Sequence, residues 1–121
     1  MSVVITVYNE ETLVERAIRS ILSQTYEDWE LILVDDGSED DTFSVMQKMA
    51  LLDRRIRCIQ LEHVGRREAL NRAILESRGK YIALCDADDY SLPRRLELQV
   101  AFLESNPDVG VLGTAYIRND V

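Results

Sequence analysis

Apolar residues recur along this chain in two rhythms, short continuous runs and longer stretches in which they return every three or four positions. Ser2-Val3-Val4-Ile5-Thr6-Val7-Tyr8 is β-branched almost throughout and predicts a buried strand. Asn9-Glu10-Glu11-Thr12 then reads as a turn and helix start, with Asn9 as the cap. The helix expected from about Glu11 to Gln24 sets Leu13, Ala17, Ile18, Ile21 and Leu22 on one stripe, with Glu15, Arg16 and Arg19 opposite. Trp29 to Val34 predicts a second strand, which opens onto Asp35-Asp36-Gly37-Ser38 with Gly37 making the turn. Ser38 and Asp41 have the spacing of a capping box and introduce a helix to about Leu52, with Phe43, Met46, Met49 and Ala50 inward.

Ile56 to Leu61 predicts strand three, and Glu62-His63-Val64-Gly65 leads to a helix over about Arg66 to Ser77. That helix buries Ala69, Leu70, Ala73 and Ile74 and stops at Gly79 as a left-handed cap. Lys80 to Cys85 predicts strand four, and its uncharged run from Tyr81 reads as a strand buried on both faces. Pro93 opens a helix carrying Leu96, Val100 and Leu103, Asn106-Pro107 ends it, and Val109 to Tyr116 predicts a fifth strand. Strand and helix alternating in this way imply a Rossmann-like three-layer α/β/α fold around a mainly parallel sheet joined by right-handed crossovers. A strand order of 3-2-1-4 sets the first and fourth strands side by side, and ligands bind beyond the carboxyl ends of strands where the order reverses.

That rim collects the chemistry. Thr6, Tyr8 and Asn9 end strand one, Asp35 and Asp36 end strand two, and Asp86 and Asp88 end strand four. Asp86-Ala87-Asp88-Asp89 brings three carboxylates into four residues, an arrangement that costs free energy unless a cation or hydrogen-bond donors fill the gap. Hard oxygen ligands suit Mn²⁺ or Mg²⁺, which keep one or two protein carboxylates and take other ligands from water and phosphate. A solvated acidic loop capping the next helix is the plainer alternative for the same residues.

Composition narrows the choice of partner. The chain has 121 residues, 46% of them apolar, with two Pro and five Gly, so one domain over residues 1–121 is expected. A formal charge of −8 argues against nucleic acid or an anionic membrane surface, which bind clustered Lys and Arg. No apolar run approaches the length of a membrane span and Met1 leads directly into a strand, so no transmembrane segment and a cytoplasmic location are expected. Cys58 and Cys85 fall on strands separated by two others and should be unpaired; with His63 they make no zinc site.

Several ordered motifs resemble a known family. They are Val3-Val4-Ile5-Thr6-Val7-Tyr8-Asn9-Glu10, Ser20-Ile21-Leu22-Ser23-Gln24-Thr25-Tyr26, Leu33-Val34-Asp35-Asp36-Gly37-Ser38, Gly65 with Ala69-Leu70-Asn71, Gly79-Lys80-Tyr81-Ile82-Ala83, Asp86-Ala87-Asp88-Asp89 and Asn106-Pro107. Over nearly the whole chain they resemble the inverting, metal-dependent nucleotide-sugar glycosyltransferases of family 2, in particular the spore-coat polysaccharide type. That type also has Thr where most relatives have Pro before the Tyr-Asn. The resemblance implies a nucleotide-diphospho-sugar transferase (GT-A) fold, of which this chain is the donor-binding half without the acceptor-binding half.

What the resemblance implies for single residues follows. Thr6 and Tyr8 would frame the base, with Tyr8 stacking, and Asp36 would accept a hydrogen bond from it, commonly from uracil. Asp86 would take the ribose hydroxyls, and Asp88 would hold the Mn²⁺ or Mg²⁺ that bridges the phosphates. Apart from the resemblance, Glu10 is grouped with the nucleotide-binding residues, with orienting its neighbours as the plainer role. Arg66 and Arg67 are the nearest positive charges able to reach a diphosphate from the strand-three side, although the family often holds its Arg at a slightly different offset. The partners implied are a nucleotide-sugar donor and a saccharide or lipid-linked acceptor; separately, apolar surface exposed where a second half would dock makes a homodimer a further option. Inverting transfer also needs a general base on the acceptor hydroxyl, and the chain offers no candidate for it.

Other α/β classes fit less well. A phosphoacceptor receiver domain would place its acidic pair after strand one and a lone Asp after strand three, where this chain has Tyr8-Asn9-Glu10 and Glu62-His63. Neither G-x-G-x-x-G nor G-x-x-x-x-G-K occurs. A non-catalytic α/β binding module remains the alternative.

Overall fold

A computed structural model describes residues 1–118. The elements alternate as the periodicity requires: β1 (Ser2–Val7), α1 (Val14–Leu22), β2 (Glu30–Asp35), α2 (Thr42–Ala50), β3 (Ile56–Gln60), α3 (Arg66–Glu76), β4 (Ile82–Asp86) and α4 (Arg95–Ser105). The strands form a single sheet in the order β3-β2-β1-β4 with every pairing parallel.

Alternation of side chains along the strands divides the core into two layers. Val3, Ile5 and Val7 of β1 and Leu31 and Leu33 of β2 pack with Val14, Ala17, Ile18 and Ile21 of α1, Met46 and Met49 of α2 and Leu96 of α4. On the other face Val4, Ile32 and Val34 meet Ala69 and Ala73 of α3. Those two alanines let α3 settle closely on β1 and β2, the strands it contacts. Leu31 to Val34 are all fully buried, so truncating Leu33 to alanine should cost about 2–5 kcal/mol.

Several local expectations do not hold. β4 is not buried on both faces: Ala83 is covered, but Ile82 and Leu84 are 42% and 55% exposed because α3 packs mainly over β1 and β2. Residues 109–116 form no strand. They are largely exposed and touch α4 through Gln99 Nε2, which donates to Thr114 Oγ1 at 3.3 Å. A strand needs a ladder partner for its backbone groups, and this segment pairs with none of the sheet's strands.

Gly79 is not a left-handed cap either, since among glycines only Gly37 and Gly65 have positive φ. It is glycine for space: a Cβ there would stand 2.6 Å from the Ser2 nitrogen and 2.7 Å from the Met1 carbonyl carbon. Asn9 does not cap α1, which begins at Val14 with no side-chain cap; its Oδ1 accepts from the Glu39 N–H at 2.9 Å instead. The Ser38/Asp41 capping box is absent as well. Asp40 Oδ1 accepts from the Thr42 N–H at 2.9 Å, and Ser38 joins the two acidic turns, its Oγ accepting from the Asn9 N–H at 2.9 Å.

Candidate functional site

Parallel register decides which residues share the rim. Thr6 of β1 is the ladder partner of Asp86 of β4, and Val7 is the partner of Asp35 of β2. Where these strands end, an open crevice of about 390 Å³ is lined by Thr6, Tyr8, Glu10, Asp36, Arg66, Asp86 and Asp88, together with Val7, His63, Gly65 and Ala87. These seven residues, each expected at the rim from the sequence, therefore face one space, whereas Asn9 and Asp35, grouped on the same rim, do not line it. Arg67 does not line it; that side chain is 88% exposed and pairs with Glu68 at 3.4 Å. Asn71 is exposed on α3.

The two aspartates after β2 divide the work. Asp35 is fully buried and is satisfied by Ser38, whose Oγ donates to its Oδ1, and by Gln60 Nε2 at 3.4 Å. Asp36 organises the β3–α3 loop: its Oδ1 accepts from the Val64 N–H at 2.7 Å and its Oδ2 from the Gly65 N–H at 3.0 Å. Each carboxylate oxygen has a second acceptor position, so this loop-fixing carboxylate can still receive a donor from the crevice. Gly65 closes this loop at φ 96°, a positive value that glycine adopts without steric cost.

Across the crevice the acidic loop is exposed and electrostatically crowded. One oxygen from each of Asp86, Asp88 and Asp89 lies within 4.8 Å of the others. Three hard oxygen donors, open to solvent on one side, fit a divalent cation that fills its remaining positions with water and phosphate. Arg66 Nη2 reaches from the start of α3 to Asp86 Oδ1 at 2.5 Å, so the crevice already pairs a cation with one of these carboxylates.

Residues not singled out for the site hold this loop in place. Arg16, expected on the solvent side of α1, donates from Nη2 to the backbone carbonyl of Asp88 at 2.9 Å. Ser20 Oγ accepts from the Ser91 N–H at 3.0 Å. Gln24 Nε2 donates to the Leu92 carbonyl at 2.8 Å, and its Oε1 accepts from the Leu96 N–H at 3.0 Å. The Ser20-to-Gln24 motif thus ties the end of α1 to the chain leaving the acidic loop. Arg95 Nη1 lies 2.8 Å from Cys85 Sγ; burial pushes that thiol up, and Arg95 offsets part of the rise. Cys58, half-buried on β3, is pushed up to about 11 by burial, and both thiols are free.

The parallel 3-2-1-4 sheet with its flanking helices is the α/β arrangement of the GT-A glycosyltransferases. The chain belongs to glycosyl transferase family 2, whose sequence model matches residues 2–121. It is 44% identical to the putative glycosyltransferase EpsE of Bacillus subtilis over 99% of its own length and 44% of that protein's. It is 35% identical to the Escherichia coli UDP-Glc:alpha-D-GlcNAc-diphosphoundecaprenol beta-1,3-glucosyltransferase WfaP over 99% of this chain and 47% of that one. The chain thus spans less than half the length of these curated relatives.

Two solved structures superpose closely. Staphylococcus aureus TarS 1–349 in complex with UDP matches 88% of this chain and 32% of its own, with a TM-score of 0.81 and 26% identity. The mannosyltransferase PcManGT of Pyrobaculum calidifontis, in complex with GDP-Man and Mn²⁺, matches 90% of this chain and 33% of its own, with a TM-score of 0.80 and 29% identity. Among the described residues, no helix is long and apolar enough to cross a membrane.

Proposed function

We propose that this chain is the donor-binding half of an inverting, metal-dependent glycosyltransferase, which takes a UDP-sugar and directs its hexose to a polysaccharide or lipid-linked acceptor. One observation carries the reading: Tyr8, Asp36, Asp86 and Asp88, drawn from three strand ends, line the same crevice. The complexes of the structural relatives with UDP and with GDP-Man and Mn²⁺ support it, as does the UDP-glucose specificity in the name of the E. coli relative.

Tyr8, 41% exposed at the end of β1, offers a ring face to a base while Thr6 borders it. Asp36 accepts from a base N–H, and Asp86 accepts from ribose hydroxyls, a pairing of acceptor-only carboxylates with donors. Asp86 keeps acceptor positions beside Arg66, and the guanidinium keeps further donors for the diphosphate oxygens. Asp88, with Asp86 and Asp89 beside it, would hold Mn²⁺ or Mg²⁺. When bound, that cation supplies Lewis-acid stabilisation of the charge growing on the departing diphosphate. Glu10 orients the turn: its carbonyl accepts from the Val14 N–H at 2.9 Å and its N–H donates to Thr42 Oγ1 at 2.9 Å. The general base for the acceptor is assigned outside these residues. A cytoplasmic location, and self-association through the open face of β4, belong to the same reading.

Calorimetric titration with UDP in Mn²⁺ and again in EDTA tests it. Binding in Mn²⁺ that is lost in EDTA is expected. Tight binding in EDTA, or none in either, would contradict it.

A further inference from the structure

The crevice contains a ring for which the nucleotide reading has no role. His63 stacks on Tyr8, with ring centroids 4.4 Å apart and planes 26° from parallel. Its Nδ1 lies 3.1 Å from the backbone carbonyl oxygen of Asp36 and 3.4 Å from that residue's Oδ2. A carbonyl oxygen only accepts, so Nδ1 carries the hydrogen, and in the neutral ring Nε2 is the acceptor.

The backbone beneath the ring is held as firmly. His63 sits at φ 46°, a left-handed conformation that few side chains adopt. The turn at Gly37 comes so close that a Cβ there would stand 2.6 Å from the His63 nitrogen and 3.1 Å from its Cβ. The same Asp36 carboxylate bonds the next two N–H groups, those of Val64 and Gly65. One buried carboxylate therefore fixes the loop, and its own carbonyl fixes the imidazole.

We propose that His63 is a positioning residue for the nucleobase: it holds the Tyr8 ring in the orientation on which the base stacks. The proposal rests on the nucleotide-binding reading above. Tyr8 is 41% exposed, and an exposed ring without a partner loses rotamer freedom when a base lands on it. A ring already stacked has lost that freedom beforehand, which is how preorganisation strengthens binding. The effect belongs to the base end of the ligand, because the acidic loop that faces a diphosphate lies on β4 and is braced separately by Arg16.

The test uses the whole 121-residue chain as wild type, His63→Ala and His63→Phe, titrated with UDP and with inorganic pyrophosphate, both in Mn²⁺. His63→Ala should weaken UDP roughly threefold to tenfold, the size of an aromatic pair, while pyrophosphate changes by less than about twofold. His63→Phe, which keeps a stacking ring, should recover most of the UDP affinity. Unchanged UDP binding in His63→Ala, equal losses for both ligands, or a Phe variant as weak as the Ala variant would each overturn the proposal.

The Tyr8 ring-proton shifts of the ligand-free chain give a readout that needs no nucleotide. They should move on His63→Ala as the stacked ring's shielding disappears, and no movement would equally overturn the proposal. Failure of the wild type to bind UDP would count against the nucleotide reading, and these shifts would still decide whether His63 positions Tyr8.

Discussion

The guanidinium of Arg16, on α1, donates to the backbone carbonyl of Asp88, 72 positions later, at 2.9 Å. This bond braces the acidic loop from α1 without using any of its carboxylates. Arg16→Ala should therefore loosen the loop rather than the fold. A hydrogen bond of this kind at an exposed position is worth about 0.5–1.5 kcal/mol, or roughly two- to twelvefold in Kd. The expected outcome is UDP binding in Mn²⁺ weakened within that range, with the urea midpoint nearly unchanged.

Arg66 and Asp86 form an exposed pair, with side chains 76% and 51% accessible. Exposed pairs contribute only about 0–1 kcal/mol to stability, so Arg66→Ala should leave thermal unfolding almost unmoved. Its effect should appear in binding, where losing a guanidinium contact to diphosphate weakens UDP by about 1–3 kcal/mol. Uridine, which has no phosphate, should bind the variant no worse than the wild type. Parallel titrations with UDP and uridine separate the two ends of the ligand.

Glu30 holds the other rim of the sheet. It accepts from Ser2 Oγ at 2.6 Å, from the Arg78 N–H at 2.7 Å and from Arg57 Nη2 at 3.0 Å, joining β1, β2, β3 and the chain entering β4. Burial pushes its carboxyl up, but these donors outweigh burial and bring it below the ordinary glutamate range. A carboxylate with a lowered folded pKa contributes stability above its unfolded pKa and loses it as pH falls through the folded value. Glu30→Gln should cost about 1–3 kcal/mol at neutral pH and flatten the acid side of the thermal-stability profile. UDP affinity should not change, because Glu30 begins β2 and the crevice lies past its end.

How far the sequence could be read follows from which interactions are local. The strand–helix alternation rests on runs such as Leu31 to Val34 and was visible, whereas rules of chain crossing allow the 3-2-1-4 order without selecting it over other doubly wound orders. Because parallel strands end on one rim, Thr6, Asp36, Asp86 and Asp88 could be grouped before any coordinate was known.

Non-local contacts could not be read in this way. Nothing near Gly79 in sequence reveals that Ser2 passes 2.6 Å from where its Cβ would be. Arg16 looks like a solvent-facing helix residue until β4 places Asp88 beside it. His63 looks like an ordinary loop residue until Gly37 and Tyr8 close around it. The apolar run through β4 predicts cover on both faces, but Ile82 and Leu84 would need a neighbouring element that the described residues do not supply. A signal for His63 was available: it lies two residues before Gly65, in a loop leaving the carboxyl end of a strand, where ligand contacts gather.

The central claim is that the carboxylates of the β4 loop bring a divalent cation and a nucleoside diphosphate together in one crevice, and electron paramagnetic resonance of Mn²⁺ tests it directly. Adding UDP to the wild-type chain should deplete the free Mn²⁺ signal, and adding it to Asp88→Asn, folded by circular dichroism, should deplete the signal no more than UDP alone does. Equal depletion by the wild type and by Asp88→Asn would contradict the claim.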